Sequence, residues 1–193
     1  MKNPISRLLF LFLPLALVLT FFSCGQNGRP TTQNAPHPTV VYLVRHAEKV
    51  TDNPSDEDPD LTPDGYARAE DLKEHLADVE IQALFSTPYR RTRSTLGPLA
   101  QEHGIEIQPY EAHDFAALAE KINREYAEQT VVVAGHSNTL LELAEALGAK
   151  RPKEKLADHE YDYLFRVVKE GDRLASVEMR HYGQPSAEPV AEK

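Results

Sequence analysis

Thr39-Val40-Val41-Tyr42-Leu43-Val44-Arg45-His46 is the stretch that decides the fold. Its first six residues are β-branched or apolar, too few for a helix, and read as a strand buried on both faces. The strand runs straight into a guanidinium and an imidazole. The chain repeats this arrangement at Thr130-Val131-Val132-Val133-Ala134, which runs into Gly135-His136. A third run, Gln82 to Ser86, leads into Thr87-Pro88-Tyr89-Arg90-Arg91. Ligands of open parallel sheets gather at the carboxyl ends of strands. Three such ends therefore bring two histidines and several arginines to one edge.

Helical segments alternate with these strands. Thr62-Pro63-Asp64 starts a helix with a cap, a Pro at the first position and an acid in the first turn. Tyr66, Ala69, Leu72 and Leu76 then recur at helical spacing. Thr87-Pro88 opens a second helix by the same logic, running toward His103. Ile105 to Gln108 reads as a strand, Asp114 caps a helix through about Ala127, and Asn138 to Leu147 is a helix closed by Gly148. Tyr161 to Val168 and Leu174 to Tyr182 read as two late strands around a turn at Glu170-Gly171-Asp172. The pattern predicts an α/β fold, a three-layer α/β/α sandwich with a mostly parallel sheet.

Outside residues 39–183 the chemistry changes. Lys2 and Arg7 precede the apolar run Leu8 to Phe22. That run of about 15 residues is short of a bilayer span, and a basic segment ahead of a short apolar one reads as an export signal over residues 1–23. It ends in Ser23-Cys24-Gly25, which resembles a bacterial lipoprotein cleavage box, with Cys24 as the lipidated residue. The alternative is a plain signal peptide that leaves the protein free in the periplasm or medium. Residues 24–38 are polar and rich in Gly, Pro, Asn and Gln, a tether of about 20 Å. Residues 184–193 have the same composition and read as a frayed tail. The expected location is outside the cytoplasm, membrane-anchored and facing the periplasm or cell exterior, as a monomer or weak oligomer.

The formal net charge of the 193 residues is −9, and loss of Lys2 and Arg7 takes it to −11. That excludes the basic footprint of a nucleic-acid binder. It leaves a local anion site open, because a site is local and net charge is global. Trp is absent, which removes a tryptophan cage for sugar or choline. The two histidines, the arginines among Arg45, Arg90, Arg91 and Arg93, and one helix N-terminus suit a dianionic phosphoryl group.

Leu43-Val44-Arg45-His46-Ala47-Glu48 resembles the RHG/RHA signature of the histidine phosphatase superfamily, in its phosphoglycerate-mutase-like branch. Ser86-Thr87-Pro88-Tyr89-Arg90-Arg91-Thr92 is similar to that family's second block and Gly135-His136-Ser137 to its third, in the expected order, over about Thr39 to Tyr182. The resemblance implies a phosphoglycerate-mutase-like fold and a small phosphorylated substrate. It implies His46 as nucleophile, with Arg45, Arg91 and His136 around the phosphoryl oxygens. It implies neither metal nor other cofactor. Ala47 in place of Gly is a change met in the short phosphohistidine-phosphatase-like subset. The family's carboxylate proton donor falls near Tyr110-Glu111-Ala112-His113-Asp114, where Asp114 is the candidate and Glu111 the reserve; Asp114 serves equally as a helix cap. Glu48 and Lys49 read as salt-bridged scaffold, the alternative being that they flank the pocket, and the acidic stretch Asp52 to Asp60 reads as a solvated insertion ahead of the alternative of a Ca²⁺ loop. The expected activity is hydrolysis of phosphate monoesters or related phosphoryl compounds through a phosphohistidine. The competing reading is an inactive lipoprotein that binds phosphorylated ligands.

Overall fold

The computed structural model describes residues 37–171 and 173–186. The expected signal peptide, Cys24, and most of the tether lie outside them, as do Asp172 and residues 187–193. Ten elements alternate in chain order: β1 (Thr39–Arg45), α1 (Pro63–His75), β2 (Ala83–Ser86), α2 (Arg90–His103), β3 (Ile107–Pro109), α3 (Phe115–Glu125), β4 (Thr130–Gly135), α4 (Leu140–Ala146), β5 (Tyr163–Lys169) and β6 (Ser176–His181). The six strands form one sheet in the order β3-β2-β4-β1-β5-β6. The pairs β3–β2, β2–β4 and β4–β1 are parallel, whereas β5 is antiparallel to both β1 and β6. Among the described residues, no helix is long and apolar enough to cross a membrane.

Strand side chains alternate between faces, and this sheet buries both. Val41, Leu43, Phe85, Val131 and Val133 pack against Leu118 and Ile122 of α3 and Leu140, Leu141 and Leu143 of α4. Val40, Tyr42, Val44, Leu84 and Val132 pack the other way, onto Leu72 of α1, Leu76 just beyond it, and Leu96 and Leu99 of α2. The architecture is the predicted three-layer sandwich. Every residue of β1 is buried, which is why the strand reads as a continuous apolar run.

Local chemistry sets the helix ends. The Thr62 side chain accepts from Gly65 N at 3.1 Å, with Pro63 opening α1. Gly65 permits a close approach, because a Cβ there would stand 2.2 Å from the Glu48 carbonyl oxygen. The second helix departs from expectation. It starts at Arg90, with Tyr89 in the cap position and no side-chain bond from it. The Thr87 hydroxyl instead pairs with Thr92 at 2.8 Å and His136 at 3.0 Å. The first amide of α2 is met from outside, by Asp58 Oδ1 accepting from Arg90 N at 2.8 Å. The acidic stretch is therefore tied down: Asp60 Oδ2 also accepts from Arg90 NH2 at 2.6 Å.

The first residues of the expected tail are bonded to the domain. Gln184 O accepts from Arg68 NH1 at 2.9 Å, and Ser186 Oγ donates to Asp162 Oδ1 at 2.6 Å while accepting from Tyr161 N at 2.8 Å. Polar composition suggested a free end, but Arg68 and Asp162, both buried, need these partners.

Candidate active site

The parallel register of β1 and β4 pairs Arg45 with Gly135. The next residues, His46 and His136, therefore leave the sheet side by side, with His46 N donating to Gly135 O at 2.9 Å. Their ring centroids are 5.5 Å apart at 62°. Gly135 is needed for close packing, since a Cβ there would meet the Tyr110 hydroxyl at 2.7 Å and Leu140 at 3.0 Å.

His46 is 4% exposed. Its Nδ1 lies 2.8 Å from Ala47 O. A carbonyl can only accept, so Nδ1 carries the proton and Nε2 keeps a free lone pair. Burial is the main force depressing its pKa to about 3, reinforced by the charges of Arg45, His136 and Arg91; the bond to Ala47 opposes it. Ala47 is itself pinned. Its N–H donates to Thr95 Oγ1 at 2.9 Å, and Thr95 donates to Arg91 O at 2.7 Å. One threonine of α2 thus couples the peptide that orients the imidazole to the backbone of Arg91.

His136 is held through Nε2 by Thr87. Burial first, then Arg91 and Arg45, and then His113 and Lys49, lower its pKa to about 4. Both imidazoles are neutral at pH 7.

The two arginines are built alike. Arg91 lies over the Tyr89 ring at 4.3 Å and Arg45 over the Tyr161 ring at 4.2 Å. Tyr89 in turn meets His136 edge-on at 5.3 Å, and Tyr161 lies 5.9 Å from His46. Arg91 Nε and NH1 and Arg45 Nε are buried without a hydrogen-bond partner among the described residues. The nearest acid to Arg91 is Asp58, 3.7 Å from NH1. Arg45 has a second task, because its NH1 donates to the carbonyls of Ala157, Asp158 and Glu160 at 2.8, 2.9 and 3.1 Å. That anchors the loop between α4 and β5 against the site.

These groups line one cleft of 520 Å³. His46, His136, Arg45 and Arg91 all reach it, together with Tyr89, Tyr161, Lys49, His113 and Asp158. Asp114 and Glu111 do not line it; they border a separate hollow with Phe85 and Lys121. Asp114 Oδ1 accepts from Ala117 N at 3.2 Å as the cap of α3, and its own N–H closes a turn on Glu111 O at 2.9 Å. That turn presents His113 to the cleft instead. Among the described residues Asp158 is the one carboxylate residue lining the cleft, and it was not legible in the sequence because its loop has no periodicity. Glu48 is scaffold as expected, gripping Arg68 at 2.6 Å. Lys49 is not: it forms no ion pair among the described residues and lines the cleft. Among the described residues no group of three or more His, Cys, Asp or Glu stands together as a metal-holding set.

The fold and the two-histidine cleft define an α/β sandwich of the phosphoglycerate-mutase-like kind. The sequence model described as the histidine phosphatase superfamily (branch 1) matches residues 41–114, which supports that superfamily. No curated protein matches the sequence. Among solved structures, a candidate phosphohistidine phosphatase, SixA, from Agrobacterium tumefaciens is 22% identical with a TM-score of 0.56, covering 76% of this chain and 98% of that one. A protein histidine phosphatase SixA complexed with tungstate is 18% identical, with a TM-score of 0.57 and coverage of 76% and 96%. A mycobacterial glucosyl-3-phosphoglycerate phosphatase is 13% identical, with a TM-score of 0.57 and coverage of 76% and 99%. At these identities the structures establish a shared fold.

Proposed function

We propose that this protein is a phosphatase that hydrolyses phosphate monoesters or related phosphoryl compounds through a phosphohistidine on His46. The observation that carries the reading is a buried, neutral imidazole with its free Nε2 set beside two guanidinium groups that hold unpartnered donors. A nucleophile needs a lone pair, and the site supplies it at every pH well above about 3. The superfamily match over 41–114 supports the same chemistry.

In the first step Nε2 attacks phosphorus in line. The P–N bond forms as the bond to the leaving oxygen breaks, and that oxygen takes a proton from water or an acid. Charge spreads over the three equatorial oxygens, where Arg91, the Nε side of Arg45 and His136 can donate. In the second step water attacks phosphorus, and the P–N electron pair returns to the imidazole. Inorganic phosphate leaves and the water proton passes to solvent. Because Arg45 NH1 is engaged by three carbonyls, Arg91 carries the larger share of phosphoryl binding.

The test is hydrolysis of p-nitrophenyl phosphate by the full-length protein, with and without EDTA. The expected result is turnover that resists EDTA and falls by about 10³-fold or more in His46→Ala. Rapid quenching should trap an acid-labile, base-stable phosphoryl group on His46. Phosphate binding without turnover across a broad ester panel would instead favour the inactive protein that binds phosphorylated ligands.

We propose further that the activity lies outside the cytoplasm, on a protein anchored through Cys24. Its support is the order of basic residues, short apolar run and cysteine in residues 1–24.

A further inference from the structure

We propose that the outer edge of β6 is a homodimer interface, where a second copy of this chain pairs antiparallel about a two-fold axis at Met179. β6 closes one side of the sheet. Past Ala175, which bridges to Ala149, its backbone bonds only to β5 among the described residues. A bare edge is a template for another strand. The two edges of this sheet are not equivalent. β3 is three residues long and ends in Pro109, which has no N–H to offer. β6 has six residues, Ser176–His181, with neither Pro nor Gly, and all but Val177 are exposed. Met179, at 46%, is among the exposed large apolar side chains.

The side chains of β6 select both the partner and the register. A two-fold axis relating adjacent antiparallel strands stands perpendicular to the sheet. Both copies then keep the same face up, and the residue on the axis faces itself. An axis at Glu178 or Arg180 sets like charges against each other, which destabilises a pair. An axis at Val177 leaves only Ser176 to Glu178 of each strand in register. An axis at Met179 pairs Val177 to His181 of each strand and sets Glu178 opposite the second copy's Arg180. In one copy these two groups already meet at 2.7 Å, so both side chains stand on one face. Glu178 is also the cross-strand neighbour of Arg166 in β5. The second copy's Arg180 would flank it on its other side, and the signs alternate across the joined sheet. On the opposite face Val177 and Met179 stand with Val167 and Phe165 and border a hollow of 410 Å³. Pairing covers that apolar rim with the second copy's Met179. The chain carries −9 overall, yet β6 balances one carboxylate with one guanidinium, so this edge does not repel its own copy.

Sedimentation velocity on the full-length protein in detergent should show a monomer–dimer equilibrium. Glu178→Arg alone, or Arg180→Glu alone, sets two like-charge pairs across the interface and should weaken dimerisation about tenfold or more. An equimolar mixture of those two variants restores opposite charges at both pairs and should dimerise about as well as the wild type. Recovery on mixing also shows that each variant is folded. The register is read separately by cross-linking with oxidised glutathione in a Cys24→Ser background. Met179→Cys should form a disulfide-linked dimer, because the axis holds that position about 5 Å from its own copy. Glu178→Cys, two residues off its own copy, should not. A monomer at every concentration, a dimer untouched by both charge variants, or a loss that mixing does not repair overturns the interface. So does a Met179→Cys variant that cross-links no better than Glu178→Cys.

Discussion

His46 draws its reactivity from two separable sources. The Ala47 carbonyl fixes which nitrogen is bare, and burial keeps the ring uncharged. The second has a thermodynamic consequence. The folded pKa of about 3 lies below the ordinary 6.5, so between those values the unfolded chain binds more protons than the folded one. Stability from this group is complete above 6.5 and is lost as pH falls toward 3. At pH 5 the loss is about 2 kcal/mol. His46→Asn keeps an amide donor for Ala47 O but cannot titrate. Unfolding free energies from denaturant titration at pH 8 and pH 5 should therefore separate by about 2 kcal/mol less in the variant than in the wild type; an equal drop in both would remove burial as the cause. Both histidines were legible in the sequence because each follows a β-branched run, and adjacent parallel strands do the rest. Of the two roles read for Asp114, the structure displays the cap and places the residue off the cleft. A cap and a proton donor are both an acid at the start of a helix, and the bond from Ala117 N shows which way the carboxylate goes. Asp114→Ala should cost about 1 kcal/mol in unfolding free energy as a lost cap. Its kcat should change equally for p-nitrophenyl phosphate and for an alkyl phosphate. A selective loss on the alkyl ester would restore the acid role.

At the level of elements, the site is assembled by contacts onto α1 and α2. Thr95 links α2 to Ala47, Asp58 caps α2 from the acidic loop, and α1 presses its first turn on the carbonyl of Glu48. Gly65→Ala inserts a methyl 2.2 Å from that oxygen, and backbone cannot swing aside as a flexible side chain can. The expected cost is about 2 kcal/mol or more. Glu48 lies two residues beyond His46, so turnover should fall beyond what the folded fraction explains. Chemical denaturation together with kcat per folded molecule checks both. The layer order was readable from alternating strand and helix signals, since both sheet faces are buried. The start of α2 was not. Thr87-Pro88 has the composition of a cap, but the hydroxyl is drawn to Thr92 and His136, partners separated from it by five and 49 residues. Tyr161 and Asp158 were equally hidden. They reach the cleft because Arg45 hooks the carbonyls of their loop, and a carbonyl has no sequence signature.

For the whole molecule, a formal net charge of −9 coexists with a cleft rich in cationic groups. A small anionic substrate therefore meets a repulsive surface and an attractive site, and only the latter is shielded from salt by burial. The proposed anchor follows a different physics. An apolar run of about 15 residues is too short to hold a protein across a bilayer. If the segment is removed at Cys24, attachment must come from acyl chains, each buried methylene contributing about 0.8 kcal/mol. Cys24→Ser removes the proposed acylation point. In an exported host the wild type should sediment with membranes and carry a lipid-modified Cys24 by mass spectrometry. The variant should appear in the soluble fraction with the same kcat/KM toward p-nitrophenyl phosphate. A wild type found soluble, or an unmodified amino terminus at Cys24, would mean that the sequence specifies export alone.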